Sequence, residues 1–311
     1  MAFMGFAAVM HHWRDIRDNF RIAQEALLTE QPDVLILIDY PSFNLKMAAF
    51  CRRQLPQTKI VYYIPPKIWA WKKYRVHQIA RLCDEVLGIF PFEPAFYARY
   101  GYRCTYVGHP TVEDIAKAPG THRKLRIIAI LPGSRRSEIS HCLPRMLEAA
   151  RRFPDYRLMV CAAPAIEDAF YVPYLHDGET LTRDTYATVQ SATAAIVNSG
   201  TATLETALLG CPQVAVYYLS PEWFIRLFRW LQPLFFSLRY FTPVNIVAGQ
   251  EVIKECIAND FTVEKVSAEL ERLLTDENHK KEMQASYLHL YSLLGTQPAS
   301  STAADIITSI Q

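Results

Sequence analysis

The chain has 311 residues, half of them hydrophobic and 21% charged, with 33 Lys and Arg against 31 Asp and Glu. That balance excludes a disordered polymer and an overall nucleic-acid charge footprint, so any basic character is local. The length suits two α/β domains, each large enough to bury its own core.

Residues 1–30 have helical periodicity with no strand in front of them, an odd start for a doubly wound sheet that suggests a missing unit. The first hexapeptide, Met1-Ala-Phe-Met-Gly-Phe, has neither a charged region nor a sustained apolar run, so no secretory signal is expected and the protein should stay in the cytoplasm. Apolar, β-branched runs follow at 34–39, 59–64, 85–90 and 105–107, alternating with amphipathic stretches. The pattern lapses across 114–122, where Pro119-Gly120 marks a turn and a linker is expected. A second set of runs lies at 126–131, 157–161, 194–197 and 213–218. Together the two sets form the alternating signature of parallel sheets. Helices are expected at 263–274, with Thr262 as N-cap, and at 280–294. The polar stretch 295–302 precedes a short apolar segment, 303–310. The division is therefore a first domain at 1–115, a second at 122–294, and a tail at 295–311 placed to pack back on the first domain.

The seven cysteines, Cys51, Cys83, Cys104, Cys142, Cys161, Cys211 and Cys256, are scattered and form no Cys-x-x-Cys pair. They read as reduced thiols and not as a disulfide frame or zinc site. The segment 223–241 is rich in bulky aromatics but holds Arg226, Arg229, Arg239 and Pro233. It is too charged to span a bilayer. It reads as an element lying among lipid headgroups, with a buried hairpin or a homodimer interface as the competing reading.

Two stretches carry most chemistry: Leu131-Pro-Gly-Ser-Arg-Arg-Ser-Glu138 and Asn198-Ser-Gly-Thr-Ala-Thr-Leu-Glu205. Each follows a strand-like run and opens a helical one. At such a junction small residues admit a ligand close to the backbone, and the first free N–H groups of the helix point at it, an arrangement suited to phosphate. Two in one half suggest a nucleotide pocket.

Taken together, Leu37-Ile-Asp-Tyr-Pro-Ser-Phe-Asn44, Ile64-Pro-Pro-Lys-Ile-Trp-Ala-Trp-Lys72, Phe90-Pro-Phe-Glu93, Val107-Gly-His-Pro110, the two junctions and Asn245-Ile-Val-Ala-Gly249 resemble the lipid-A-disaccharide synthase family, in its order and across nearly the whole chain. The resemblance implies a GT-B glycosyltransferase, with two Rossmann-like α/β domains facing across a cleft. It also implies transfer of 2,3-diacylglucosamine from its UDP-activated form to 2,3-diacylglucosamine 1-phosphate (lipid X), giving the β-1,6 disaccharide and UDP. The expected partners are those two substrates and the inner-membrane surface, met peripherally through 223–241. No nucleic acid, cofactor or metal is called for. Two departures stand out. The family begins with a strand and a Gly-Glu-x-Ser-Gly-Asp turn that this chain lacks, a deficit on the order of 60 residues that leaves the N-terminal domain incomplete. Pro65 stands where the family usually has Ser.

Asp39 ends an apolar strand at the carboxyl edge of a parallel sheet, where α/β folds bind ligands. It is the candidate base that draws the proton from the acceptor hydroxyl; an Asx turn is the plain alternative. Asn44 orders this loop or meets acceptor hydroxyls. Gly133, Ser134 and Arg135 would hold the donor diphosphate, where N–H groups and a guanidinium can stand in for a metal. The chain has no Asp-x-Asp, which favours a metal-independent route; Arg136 reads as solvated. Ser199, Gly200 and Thr201 repeat the arrangement, and Glu205 would accept the ribose hydroxyls. Asn245 and Gly249 match the family's donor-pocket loop. Residues 67–72 follow two prolines and read as a helix start, which would set Trp69 and Trp71 on different faces, one of them toward acyl chains or headgroups, with core packing the plainer reading of each. His109 reads as a hinge residue, and His11 and His12 carry no assignment. The competing readings are an enzyme like UDP-N-acetylglucosamine 2-epimerase, which shares the architecture, and a non-catalytic glycolipid-binding remnant.

Overall fold

A computed structural model describes residues 13–118, 124–218 and 239–310. The chain divides into two units, Met1–Gly108 with Pro298–Gln311, and His109–Gln297.

The first unit runs α1 (Trp13–Glu30), β1 (Val34–Ile38), α2 (Pro41–Gln54), β2 (Lys59–Tyr63), α3 (Arg75–Leu82), β3 (Glu85–Gly88), α4 (Glu93–Ala98) and β4 (Thr105–Tyr106). Its sheet is parallel in the order β1-β2-β3-β4. β1 reads Val-Leu-Ile-Leu-Ile, the continuous apolar run of a strand covered on both faces. It is nevertheless the edge of the described sheet, with Ile36 and Ile38 exposed.

The second unit runs α5 (Pro110–Ala116), β5 (Ile127–Leu131), α6 (Arg136–Ala150), β6 (Arg157–Cys161), β7 (Thr180–Thr182), α7 (Thr185–Ser191), β8 (Ala194–Asn198), α8 (Thr201–Leu208), β9 (Gln213–Tyr217), α9 (Pro243–Ala248), β10 (Lys254–Ile257), α10 (Val263–Thr275) and α11 (Glu277–Leu294). Its strands are parallel in the order β10-β9-β8-β5-β6-β7. β5 and β8 are buried at every position, and Ile127, Ala129, Leu131, Ala195 and Val197 form one core with Cys161 and Cys211. Thr262 caps α10, its hydroxyl accepting from Lys265 N at 3.2 Å. A last helix, α12 (Ala299–Thr308), returns to the first unit: Ala303 packs with Val61, Leu87 and Val107, backed by Ile306 and Ile307.

Several expectations are corrected. The boundary falls between Gly108 and His109 and not across 114–122, because α5 buries Thr111 and Val112 and packs on α8. Residues 67–72 are not a helix: 68–70 form a turn, Lys72, at φ 59°, breaks the path and α3 starts only at Arg75. The strands β7 and β10 escape a hydrophobic reading because Thr-Leu-Thr and Lys-Glu-Cys-Ile are short and polar. The last helix begins before the apolar segment, at Ala299. All seven cysteines are free and buried, with Cys211 and Cys256 pushed up to about 11 by burial. Of the 223–241 segment, 223–238 lies outside the described residues, as do His11 and His12. Among the described residues no helix is long and apolar enough to cross a membrane.

Candidate active site

In the second unit the chain leaves β5 toward β6 on one side, while β8 lies against β5 on the other, Leu131 pairing with Val197. This is a topological switch point, where strand ends diverge and open α/β sheets bind ligands. The loops that leave there are the two predicted junctions. Gly133 has φ 114°, and a Cβ on it would come within 2.7 Å of both Asn198 Nδ2 and Glu138 Oε2. Only glycine fits. Beneath it, buried Asn198 accepts from Cys142 Sγ at 3.5 Å.

Glu138 ends the first motif and organises it. Its carboxylate accepts from Ser134 N at 3.1 Å and pairs with the Arg135 guanidinium. The start of α6 is thus closed by the chain's own carboxylate, three residues past the N-cap Arg135, a capping-box spacing that could have been read from the sequence. Arg136 turns outward to pair with Glu167 and lies 4.8 Å over the Phe170 ring. At the second junction Ser199 N donates to Val216 O at 2.7 Å, continuing the ladder to β9. Thr201 is exposed, no side chain caps α8, and a Cβ at Gly200 would meet nothing within 4 Å. No side chain takes the first N–H groups of α8, as an anion seat requires.

Glu205 is half-buried one turn into α8. Burial pushes its carboxyl up, and the neighbouring Asp114 carboxylate on α5 adds to the shift. The Tyr186 hydroxyl is pushed up to about 12 by burial and the same two acids. Asp114 was missed because its partner lies 91 positions away, a pairing with no sequence signal.

Asn245 needs correction as a ligand-touching side chain. Asn245 is fully buried in α9; its Nδ2 donates to Ile253 O and Glu255 Oε1, and its Oδ1 accepts from Val252 N and Ile253 N. With its amide saturated it holds the loop before β10 in place. Gly249, at φ 69°, ends α9 in the left-handed conformation, with open space about its Cα.

In the first unit, the loops after β1, β2 and β3 carry the remaining candidates. Asp39 and Tyr40 have φ 48° and 37°, and Ile64 after β2 has φ 56°. Left-handed backbone at non-glycine residues costs roughly 1–3 kcal/mol each and persists only where the surroundings enforce it. Here Asn44 does so: buried, it donates from Nδ2 to Ile38 O at 2.9 Å and Asp39 O at 2.6 Å, while Tyr62 Oη donates to Asp39 O at 2.8 Å. Asp39 is exposed. Its backbone is clamped, whereas its carboxylate remains available. Asn44 therefore orders the loop, the first of its two expected roles.

Trp69 is buried between Phe90 and Phe92, with ring centroids at 5.6 and 4.9 Å, and its indole donates to Glu93 Oε1 at 3.0 Å. It is core. Glu93 also accepts from Ile89 N and Phe90 N, and burial raises its pKa against those hydrogen bonds. The Lys67 ammonium lies 5.9 Å from the Phe90 ring centre; withdrawal from water lowers its pKa, and the Asp39 and Glu93 carboxylates oppose that shift. Trp71 is 45% exposed under the Lys72 ammonium, 4.1 Å from the ring centre. His109, at the boundary of the units, caps α5 by accepting from Thr111 N at 3.2 Å.

Solved structures share this fold at low identity. UDP-GlcNAc 2-epimerase from Neisseria meningitidis bound to UDP-GlcNAc aligns with TM-score 0.62 and 10% identity over 94% of this chain and 81% of that one. CalG4, the calicheamicin glycosyltransferase, aligns with TM-score 0.57 and 14% identity over 99% and 82%. These likenesses give an α/β fold of the GT-B glycosyltransferase and epimerase class. In sequence, lipid-A-disaccharide synthase from Geobacter sulfurreducens is 35% identical over 99% of this chain and 83% of its own length. That from Nitrosococcus oceani is 32% identical over 95% and 79%. A family model described as lipid-A-disaccharide synthetase matches residues 1–309. With an apolar-strand carboxylate at 39, two glycine junctions at a switch point and this match over almost its whole length, the chain belongs to the lipid-A-disaccharide synthase family.

Proposed function

We propose that the chain transfers 2,3-diacylglucosamine from UDP to lipid X with inversion, through a metal-independent displacement in which Asp39 is the base. The acceptor hydroxyl attacks the anomeric carbon from the face opposite UDP. Its proton passes to the Asp39 carboxylate, the glycosidic bond to phosphate breaks, and UDP leaves with the electron pair. The charge that grows on the diphosphate is met by the N–H groups at the start of α8 and, once the Glu138 carboxylate that holds both swings aside, by Ser134 N and the Arg135 guanidinium. Glu205 takes the ribose hydroxyls. The enzyme works peripherally on the cytoplasmic face of the inner membrane, since both substrates carry acyl chains.

The observation that supports this best is Asp39 itself: a strained backbone, held at both Ile38 O and Asp39 O, presents an exposed carboxylate at the sheet's carboxyl edge. Asp39→Asn is expected to bind UDP as the unaltered chain does and to lose about 10²–10⁴ in turnover, read by mass spectrometry of the disaccharide. Near-normal turnover removes Asp39 from the mechanism.

A further inference from the structure

The carboxyl edge of the first sheet holds a cation that the proposed reaction does not use. Three strand-end loops meet there. Asp39 N donates to Tyr63 O at 3.3 Å and Ile64 N to Leu87 O at 3.1 Å, so each loop leaves its sheet pinned to the neighbouring strand. Lys67, on the loop after β2, stands with its ammonium 5.9 Å from the centre of the Phe90 ring on the loop after β3. Lys67 is exposed, yet the protein around its ammonium withdraws it from water and lowers its pKa. A cation open to a ligand but already poorly hydrated gives up little water when an anion arrives, so the usual desolvation cost of pairing is largely met in advance.

The neighbouring carboxylates leave this charge uncommitted. Glu93 is buried and occupied: its Oε1 accepts from the Trp69 indole, its Oε2 from Ile89 N and Phe90 N. Asp39 is near enough for its charge to act on Lys67, but the two form no ion pair among the described residues. A second cation, Arg75, opens α3 and acts on the Tyr62 hydroxyl, which itself donates to Asp39 O. A cation in the first turn of a helix opposes the helix dipole, so nothing in α3 itself calls for arginine there.

We propose that Lys67, with Arg75 beside it, seats the phosphate of the acceptor and so selects the phosphorylated sugar over its phosphate-free counterpart. The inference rests on the acceptor assigned above. That acceptor attacks through its 6-hydroxyl and carries phosphate on C1, so the two groups lie on opposite sides of one sugar ring. Asp39 and Lys67 fit that separation: their charges interact, yet room for a ring remains because they are not in contact. A role confined to attracting Asp39 is the plain alternative, and it predicts no dependence on the phosphate.

The test is titration calorimetry of the full chain, without membranes, using two water-soluble probes: 2,3-dibutanoylglucosamine 1-phosphate and 2,3-dibutanoylglucosamine. The unaltered chain is expected to bind the phosphorylated probe about 10- to 100-fold more tightly, the worth of a charge-assisted contact. Lys67→Gln should lose most of that preference by weakening the phosphorylated probe alone, with thermal unfolding unchanged, while Lys67→Arg should keep it. Arg75→Gln, on a different element, should narrow the same preference. Equal affinity of the unaltered chain for the two probes, an equal loss of both in Lys67→Gln, or a matching loss of UDP affinity in that variant would each overturn the proposal. Disaccharide formation by the unaltered chain is measured separately, so a failed phosphate seat and a failed transferase reading are told apart.

Discussion

Replacing Gly133 by Ala tests whether the first junction is as tightly built as its geometry implies. The added methyl would sit 2.7 Å from Asn198 Nδ2 and Glu138 Oε2 and 2.9 Å from Glu138 Cβ, on a backbone at φ 114°. The Glu138 carboxylate can swing away, but its Cβ is anchored in α6 and Asn198 is buried, so part of the clash must be taken up by the backbone. Forcing a non-glycine residue into a sparsely populated region costs roughly 1–3 kcal/mol, and overpacking a similar amount. The sum, roughly 2–6 kcal/mol, corresponds to a fall in melting temperature of about 5–20 °C for a unit of this size. Gly249→Ala is the internal control: its φ is also positive, at 69°, but no atom lies within 4 Å, so only the conformational cost of about 1–2 kcal/mol applies. Thermal unfolding by circular dichroism and titration calorimetry with UDP read the two effects. Gly133→Ala should melt well below Gly249→Ala and bind UDP at least tenfold more weakly (about 1.4 kcal/mol), because the loop that carries Ser134 and Arg135 is displaced. If the two variants melt together and Gly133→Ala keeps its UDP affinity, the junction is not a tightly packed phosphate seat.

Glu205→Gln should weaken UDP by about tenfold, since a charge-assisted hydrogen bond contributes about 1.5–3 kcal/mol. It should also stabilise the free protein near pH 7. The folded carboxyl is raised by burial and by Asp114, so the native state holds its proton more tightly than the unfolded chain, and stability falls as pH rises from the unfolded value through the folded one. The gain should vanish by about pH 4, and a variant that melts like the unaltered protein at both pH values would contradict the burial of this acid. Asn245→Ala strands two buried N–H groups and a carbonyl, and should lower stability by about 3 kcal/mol or more in denaturant titration. A loss confined to UDP affinity would restore Asn245 as a ligand contact. Reversing Arg226, Arg229 and Arg239 to Glu should abolish sedimentation with anionic vesicles, each arginine adding about 1 kcal/mol of attraction, while sparing UDP binding; wild-type sedimentation would make that segment a core or subunit contact.

Eight strands, the helices α10 and α11 and both glycine junctions are legible in the sequence, because each depends on the pattern of neighbours along the chain: an apolar run, a small-residue turn, a cap such as Thr262. Asp39 is legible for the same reason, as the first polar residue after Val-Leu-Ile-Leu-Ile. The family follows from the order of the motifs. What the sequence could not decide is every arrangement in which distant segments share one space. Only the sheet order, with β8 beside β5, turns the two junctions into a single switch point. Only packing on α8 moves α5 into the second unit, and only there does Asp114 meet Glu205. Glu93 accepting the Trp69 indole N–H between two phenylalanines fixes Trp69 as core, and Asn245 is an internal brace because the loop before β10 and Glu255 on β10 supply its partners. Periodicity reports which face a residue presents; it carries no information about which other segment that face will meet, since burial and hydrogen-bond saturation are set by the three-dimensional neighbours.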